Sequence, residues 1–451
     1  MNYGKKDFSE AAKLLNNLIK VKWRLGIWVV SMGFKETKTV DQVLNEAIKY
    51  IRHVPRVVEV TITEALNKYL AEDVVAKFDV PGFNRSAVDG YAVRSIDTFG
   101  ASTTNPIMLR VIGFVSVGDD PGKYSLNPGE AVEISTGAPL PVNADAVVMY
   151  EDTRRSGDYV EVLRPVPPMG NVSRRGEDVR ANEIMYRRGM KILPWDLGVL
   201  ASMGVYRVKV FSPRVAIIST GNELVEVADV SASGPPPGRV VNSSRFVIEG
   251  LLESLGCEPG YLGIVGDYEE RITEVIDGAL KDYDAIITTG GVSVGKVDYT
   301  LKAVMRLKPE YINHGLSIRP GRPNSMAVVN GKPVFMLSGF PVAAATGFDV
   351  LVRPVVLHMM GAIDDPRPII RGILTRRVST PVNTRSFVRV RAYLGGDGKV
   401  YVEPLALTGS GVLSTLVRGN GILIVPENRE GFDEGDEVDV TLIRPLFVES
   451  S

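Results

Sequence analysis

Between residues 214 and 359, short β-branched and aliphatic runs alternate with segments of helical periodicity, and this alternation constrains the fold most strongly. It is typical of βαβ units, which build a parallel sheet with helices on both faces. We therefore predict a doubly wound α/β domain. The predicted strands are residues 214–219, 261–265, 284–288 and 334–337, and the predicted helices are residues 244–255, 268–280, 299–307 and 342–359.

The flanking segments have a different rhythm. Residues 55–210 and 370–446 contain short β-branched runs separated by Gly and Pro turns, a pattern typical of antiparallel sheets or small barrels. A capping box of Thr39 and Gln42 precedes a predicted helix over residues 40–53. The first flanking segment has predicted strands at residues 57–62, 108–117, 131–135, 146–149, 159–163, 191–193 and 205–210. The chain is thus predicted to be multidomain, α/β plus β.

Composition limits the classes of function. The 451 residues predict two to four domains, and 52 basic residues nearly balance 53 acidic ones, so we expect no nucleic-acid or membrane partner. Cys257 is the only cysteine, which excludes an internal disulfide and a zinc cluster. The apolar patch at residues 25–32 falls short of the ~20 residues that span a bilayer. We expect a cytoplasmic protein, with residues 1–31 as an upstream extension.

Three glycine-containing loops follow predicted buried strands. They are TGNEL at residues 220–224, TGGVSVGKVD at residues 289–298 and SGFP at residues 338–341. Glycines let backbone N–H groups approach an anion, and a helix N-terminus favours negative charge, so these loops suit a phosphate. The candidate cofactor-binding residues are Gly290, Gly291, Ser293, Gly295, Ser338 and Pro341.

Two enzyme motifs overlap the middle loop. Residues 290–296 begin like a P-loop, but Val297 stands where a magnesium-binding hydroxyl is needed, which excludes that class. Residues 291–295 match the G-x-S-x-G elbow of serine hydrolases. A serine hydrolase with Ser293 as nucleophile therefore stays open as an alternative.

Carboxylates and arginines form the other candidate set. Asp89, Asp178, Glu223, Asp267 and Asp298 each lie beside a glycine or in a turn, and if gathered in one cleft they would suit Mg²⁺. Arg319 and Arg322 lie in a stiff SIRPGRP segment, where guanidinium groups would match a tetrahedral oxyanion. For Arg385 and Arg389, alternating on one strand face, the choice between anion ligands and exposed charges stays open.

Taken in order, these segments resemble the molybdopterin molybdenumtransferase family (MoeA, and the gephyrin E domain in animals). The resemblance runs from about Gly33 to the C-terminus, and the ordered set is far more specific than any single motif. The segments are PGFNRSAVDGYA at residues 81–92, ISTGAPLP at 134–141, ADAVV at 144–148 with Glu151, GED at 176–178, STGNEL at 219–224, GIVGD at 263–267, TGGVSVG at 289–295 with Asp298, and RPGRP at 319–323.

The resemblance implies four domains. Domain I is discontinuous (residues 32–77 and 171–210), domain II is an inserted β domain (78–170), domain III is the pterin-binding α/β domain (211–363), and domain IV is β-barrel-like (364–451). It also implies an elongated homodimer whose cleft joins domains of both subunits. A molybdopterin adenylyltransferase would act upstream, and molybdoenzyme apoproteins would receive the product.

The implied reaction is Mg²⁺-dependent transfer of molybdate, or tungstate, to adenylylated molybdopterin with release of AMP. By resemblance, the catalytic residues are Asp89, Thr136, Asp178, Glu223, Asp267 and Asp298, with Glu223, Asp267 and Asp298 as metal ligands, and the oxyanion-binding residues are Arg319, Arg322, Arg385, Arg389 and Ser410.

Several positions depart from the family pattern. The usual LPGNPVS loop is LSGFPVA at residues 337–343, which replaces a proline, an asparagine and a serine. Arg319 and Arg322 replace lysines, Ser173 an arginine, Asn143 a glycine and Ser244 an asparagine. A non-catalytic pterin-binding scaffold, like gephyrin, is the alternative function. The retained acidic and arginine residues favour the enzyme.

Overall fold

The structure, a computed structural model, describes residues 37–292, 298–363, 367–406 and 409–448. The predicted extension at residues 1–31 lies outside them. The described chain forms two compact units. The first, called the α/β unit, contains the described residues of 37–54, 213–359 and 367–448, and the second, called the β unit, contains residues 55–212 and 360–363.

The α/β unit is built around a six-stranded sheet. In order across the sheet, its strands are Glu258–Val265, Arg214–Thr220, Ala285–Thr289, Lys332–Leu337, Ser325–Val329 and Tyr311–Asn313. The first four strands are parallel, as predicted, and the last two pair antiparallel. The four parallel strands therefore end at one edge of the sheet, where their loops gather.

Helices cover this sheet because its central strands are continuously apolar and apolar residues recur at helical spacing in the segments between them. Ile272, Ile276 and Val304 pack in one core with Ile218 and Ile286 of the strands. The helices are Ser243–Ser254, Glu269–Asp282, Tyr299–Arg306, Pro341–Gly347 and Arg353–Met360, with a 3-10 turn at Val227–Asp229 and a small strand pair Leu224–Val225 and Val240–Val241.

The helix predicted at residues 342–359 is interrupted by a π-helical segment, Phe348–Val352. The whole run Pro341–Met360 is long and apolar enough to cross a membrane, by length and composition alone. However, 67% of its apolar 18-residue window is buried inside the fold. Its apolar character is therefore that of a core helix.

The predicted N-terminal helix is present over Val40–Ala47 and continues as a 3-10 turn to Tyr50. The capping box of Thr39 and Gln42 is confirmed, since both of its hydrogen bonds form. Beyond the helix, His53 Nε2 lies 2.6 Å from the carboxylate of Asp284. This contact connects the N-terminal helical segment to the residue that directly precedes the central strand Ala285–Thr289.

A C-terminal β-barrel completes the α/β unit. Five strands form a ring, because the last one pairs back with the first. In ring order they are Arg385–Leu394, Val400–Ala406, Ile369–Leu374, Glu437–Leu442 and Gly421–Val425. Ile318–Arg319 and Phe447–Val448 pair with Arg385–Leu394, and the remaining elements are the strand pair Val378–Ser379 and Gly431–Phe432 and the helix Thr415–Arg418. The predicted barrel-like domain is confirmed.

The β unit contains a second six-stranded sheet. In order, its strands are Ala146–Met149, Gly90–Val93, Glu130–Ile134, Ile107–Val115, Tyr159–Val162 and Thr153–Ser156, with 3-10 turns at Ser95–Thr98 and Tyr150–Asp152. In the sequence, the strands of this sheet lie between two further segments, Val57–Thr61 and Arg207–Phe211. These two segments pair antiparallel with each other. The smaller pairs are Val74–Val75 with Ile184–Tyr186 and Arg85–Ser86 with Val172–Ser173.

One prediction in the β unit is wrong. Residues 191–193 form no strand, and only Lys191 makes an isolated bridge, to Tyr69. They lead instead into a helix that was not predicted, Pro194–Ser202, which begins with proline at its first position. Proline suits that position because its missing N–H has no partner there in any helix.

Candidate active site

A pocket of about 580 Å³ lies where the four parallel strands end, and we call it the strand-end pocket. It is lined by all three glycine-containing loops predicted from the sequence. Its lining includes Thr220, Gly221, Glu223, Val240, Asn242, Ser243, Ser244, Asp267, Thr289, Gly290, Gly291, Val292, Ser338, Gly339, Phe340, Pro341, Gly411 and Leu413. Ser293 and Gly295 lie outside the described residues, so their predicted role stays a prediction.

Glycine is required at the bend of the middle loop. Gly291 has φ +63°, and a Cβ there would lie 2.2 Å from Oγ1 of Thr300. A Cβ on Gly290 would lie 2.2 Å from the carbonyl oxygen of Thr220. The loop can therefore approach its neighbours closely only without side chains, which leaves its backbone facing the pocket.

Two predicted acidic residues, Glu223 and Asp267, line this pocket together. The carboxylate of Asp267 accepts a hydrogen bond from the backbone N–H of Asn222 at 3.2 Å, and the Asn222 side chain accepts one from Asp267 N–H. The carboxylate of Glu223 folds back over Gly221, where a Cβ would lie 2.6 Å from it. Both acids are thus presented at one rim of the pocket.

Asp298 has a structural position beside the same loop. It is the N-cap of the helix Tyr299–Arg306, where its Oδ1 accepts from Leu301 N–H at 2.8 Å. Its Oδ2 lies 3.2 Å from Nε2 of His314. Asp298 is only 9% exposed, and its carboxylate is fixed at the helix end through Oδ1, whereas the buried Oδ2 accepts no hydrogen bond from the described residues.

The chemistry of these donors fits Mg²⁺ in part. Within the described part of the chain, no three His, Cys, Asp or Glu side chains converge closely enough to form a metal site. Magnesium commonly binds one or two carboxylates and takes its other ligands from phosphates and water. Glu223 and Asp267 match that requirement, and of the two Asp298 oxygens Oδ1 is engaged in the helix cap whereas Oδ2 accepts no hydrogen bond within the described part of the chain.

A buried polar network supports the pocket floor. Asn242, which is 2% exposed, donates to Ser219 Oγ at 2.9 Å and to the Tyr261 hydroxyl at 3.0 Å. Tyr261 in turn donates to Glu226, and burial together with this carboxylate raises the pKa of Tyr261 to about 12. The phenol stays protonated at neutral pH, so the network keeps its donors fixed.

A second pocket, of about 360 Å³, adjoins the RPGRP segment, and we call it the guanidinium pocket. Four of the five predicted oxyanion-binding residues line it: Arg319, Arg322, Arg389 and Ser410. Residues from three separate stretches of chain therefore meet here. Their positive charge and hydroxyl group suit a small tetrahedral anion.

Arg389 is the buried member of this set, at 3% exposure. Its guanidinium donates to Thr415 Oγ1 at 3.3 Å and to the carbonyls of Phe387 and Gly409, both at 3.4 Å. Burial lowers the pKa of Arg389 from its ordinary value. An anion in this pocket would offset that desolvation.

Arg385, the fifth predicted residue, lies in a different pocket. Its guanidinium is 2.7 Å from Asp41 and 3.1 Å from Glu427. Burial lowers the pKa of Arg385, but the two carboxylates outweigh it and raise the pKa overall. The structure thus separates Arg385 from the arginines that it brings together.

The strand-end pocket and the guanidinium pocket adjoin. Ser338 and Phe340 line both of them. Ser338 is buried and accepts from Phe340 N–H at 3.3 Å, while its own N–H donates to the side chain of Asn324. The pocket predicted for a phosphate and the pocket predicted for an oxyanion are therefore neighbours across one short segment.

The remaining predicted catalytic residues lie in the β unit. The carboxylate of Asp89 accepts from the backbone N–H of Thr136 at 2.8 Å, which joins two motifs distant in sequence. Gly90 permits this arrangement, because a Cβ there would lie 2.0 Å from the carbonyl oxygen of Val148 on the next strand. Asp178 is exposed, and its N–H donates to the carbonyl of Val80, which directly precedes the motif at residues 81–92.

The structure also identifies site residues that the sequence reasoning missed. Asn242, Thr300, Phe340 and His314 were not predicted to take part. Asn242 precedes a helix just after a short strand, which is a signal that could have identified it. Thr300 and His314 carry no such signal, because only folding brings them to the loop.

Family models match three successive parts of the chain. They are the MoeA N-terminal region (domain I and II) at residues 38–204, a probable molybdopterin binding domain at residues 216–358, and the MoeA C-terminal region (domain IV) at residues 371–443. Together they span both units described above.

Individual relatives agree with these matches. A putative molybdopterin biosynthesis protein of Methanocaldococcus jannaschii is 39% identical over 412 residues, which cover 90% of this chain and 98% of that protein. A molybdopterin molybdenumtransferase of Staphylococcus aureus is 36% identical over 386 residues, covering 85% and 91%. The crystal structure of a molybdopterin biosynthesis MoeA protein from Pyrococcus horikoshii OT3 matches with a TM-score of 0.78 and 34% identity, covering 90% of this chain and all of that one.

Proposed function

The chain belongs to the molybdopterin molybdenumtransferase family of molybdenum cofactor biosynthesis, and from that premise we propose its specific reaction. The substrate is adenylylated molybdopterin, which receives molybdate, or tungstate, in a Mg²⁺-dependent step that releases AMP. The observation that supports this proposal is the adjacency of the two pockets through Ser338 and Phe340. One pocket suits a phosphoanhydride, and the other suits a metal oxyanion.

The strand-end pocket would bind the phosphate groups. The backbone N–H of Gly291 lies just beyond a strand end, where its dipole would favour an anion, whereas the N–H of Gly290 donates to the Leu337 carbonyl at 3.0 Å and fixes the bend. Glu223 and Asp267 would hold Mg²⁺, which when bound offsets the charge that develops as the anhydride is cleaved. Asp298 would keep its helix in place through Oδ1 and contribute the negative charge of its Oδ2 to the metal site.

The guanidinium pocket would hold the oxyanion until both dithiolene sulfurs bond to the metal, while one oxygen leaves as water that carries the two thiol protons and the oxidation state of the metal stays the same. Arg389 supplies a fixed, buried positive charge, while Arg319 and Arg322 are exposed at the pocket rim. Guanidinium groups stay charged at all physiological pH values and match tetrahedral anions with paired donors. These residues bind and orient, and no proton transfer is required of them.

The proposal also covers the location, oligomeric state and partners of the protein. We expect a cytoplasmic homodimer that receives its substrate from a molybdopterin adenylyltransferase and delivers its product to molybdoenzyme apoproteins. Asp89, Thr136 and Asp178 of the β unit would complete the cleft in that dimer.

The direct test is AMP release. Purified protein with adenylylated molybdopterin, molybdate and Mg²⁺ should release AMP, and removal of Mg²⁺ with a chelator should stop release until the metal is restored. Glu223→Gln should reduce AMP release by roughly 100-fold or more, in the range for loss of an electrostatic stabiliser. Glu274→Gln, which alters an exposed ion pair with Arg271, is the matched control and should be fully active. No AMP release by a protein that binds the substrate would refute the proposal.

A further inference from the structure

Phe340 presents an exposed aromatic ring at the boundary of the two pockets. It lines both the strand-end pocket and the guanidinium pocket, and 59% of the residue is exposed. The family resemblance has asparagine as the usual residue here, so the ring distinguishes this chain from that pattern. Exposed apolar side chains inside a polar binding site indicate a surface that a ligand covers.

The ring stands on a fixed backbone. The N–H of Phe340 donates to Ser338 Oγ at 3.3 Å, and its carbonyl accepts from Ala344 N–H at 2.9 Å within the first turn of a helix. The ring packs closely on Gly411, where a Cβ would lie 3.2 Å from Cδ1 of Phe340. Little conformational freedom is therefore lost when a ligand covers the ring.

The chemistry of the substrate identifies which flat group can reach this ring. Molybdopterin carries a dithiolene and a phosphate on the ring that is fused to its pterin system. With the phosphate at Gly291 and the dithiolene directed at Arg389, as proposed above, the fused ring system of the substrate would lie across the boundary of the two pockets, beside Phe340. The adenine of the adenylylated form is attached beyond the phosphate, on the side away from the dithiolene.

We propose that Phe340 stacks on the pterin ring of the substrate. This stacking determines both the affinity for the pterin and the orientation of the dithiolene toward the guanidinium pocket. This inference rests on the proposed function and deepens it by assigning a specificity-determining residue. Offset stacking of aromatic rings contributes beyond simple burial, so an aliphatic side chain of similar size cannot replace it.

The experiment measures binding of a phosphorylated 6-substituted pterin by quenching of its fluorescence, with AMP and molybdate titrated separately. Phe340→Leu and Phe340→Ala should weaken pterin binding about tenfold, whereas Phe340→Tyr and Phe340→Trp should stay within about threefold of the original protein. Affinities for AMP and for molybdate should not change. Phe246→Leu, at an exposed phenylalanine that lines neither pocket, is the control and should leave pterin affinity unchanged.

The results of this experiment distinguish failure of the stacking role of Phe340 from failure of the proposed function. Equal pterin affinity for Phe340→Leu and the original protein would overturn the stacking role alone. Loss of AMP affinity with unchanged pterin affinity would also overturn it, because adenine would then be the stacked ring. Absence of pterin binding in the unaltered protein would overturn the inference and the proposed function together.

Discussion

Two arginines on one strand have opposite surroundings. Arg389 lies in the guanidinium pocket among hydroxyl and carbonyl acceptors, whereas Arg385 lies between two carboxylates. They share a strand face, but four residues of strand span about 13 Å, which is enough to place them in separate pockets. Position on a face therefore does not define a shared site.

These surroundings predict different effects of substitution. Arg389→Ala should weaken molybdate binding by roughly 10- to 100-fold, because it removes a buried charged donor that costs about 1.5–3 kcal/mol per lost hydrogen bond. Arg385→Ala should leave molybdate affinity unchanged and lower the free energy of unfolding by about 1 kcal/mol through the loss of its ion pairs. Calorimetric titration with molybdate and urea denaturation measure the two quantities. Equal losses of molybdate affinity would contradict the separation.

Asp298 allows its structural and functional roles to be separated. Asparagine also caps helices, so Asp298→Asn should keep the free energy of unfolding within about 1 kcal/mol of the original while abolishing AMP release. Asp298→Ala should lose about 1 kcal/mol or more, because the cap is removed and His314 loses its neighbour. Urea denaturation and the AMP assay give both readings. A destabilised but active Asp298→Asn protein would argue against a role in turnover.

At the scale of elements, hydrophobic periodicity predicted most of the α/β unit. The strand predicted at residues 214–219 is Arg214–Thr220, and the helix predicted at residues 244–255 is Ser243–Ser254. Both patterns are unambiguous because buried strands are continuously apolar and covering helices are amphipathic. Sequence alone was sufficient for these elements.

The elements that were missed lack such patterns. The helix Pro194–Ser202 is short and apolar on nearly every side, so no face stands out. The antiparallel strands Tyr311–Asn313 and Ser325–Val329 are short and contain no polar alternation. The site, too, could be predicted only in part. Periodicity located the loops at the strand ends, but only the fold shows that Phe340 and Asn242 line the same pocket.

The glycine loop gives a prediction about its own conformation. Gly291→Ala should lower the free energy of unfolding by about 2 kcal/mol or more, because the added methyl group meets Thr300 in a left-handed backbone conformation. Gly278→Ala, in the open middle of the helix Glu269–Asp282, should instead raise it by roughly 0.5–1 kcal/mol. Urea denaturation of the two variants checks both signs. A neutral Gly291→Ala would show that the loop is not held as described.

At the scale of the whole molecule, the predicted catalytic residues are divided between two units. Asp89 and Thr136 belong to the β unit, and Glu223 and Asp267 belong to the α/β unit. The family resemblance implies a cleft that joins domains of two subunits. Dimerisation would then be a condition of activity.

Subunit complementation tests that implication. Asp89→Asn and Glu223→Gln proteins should each be inactive, but after mixing and subunit exchange a heterodimer would contain one cleft with both original residues. We expect up to about a quarter of the original AMP release, since random pairing gives half heterodimers with one intact cleft each. Sedimentation verifies the dimer and exchange. Inactive mixtures in which exchange is demonstrated would show that each cleft is built within one subunit.

The single cysteine of the chain, Cys257, is buried in the fold. Under an oxidant, two neighbouring thiolates can be joined to a nearby thiol as a mixed disulfide, and this oxidation requires an accessible thiol on the protein. With its one sulfhydryl buried, this protein would offer the dithiolene of the proposed substrate no accessible thiol to pair with, so its sulfur atoms would stay available for the metal.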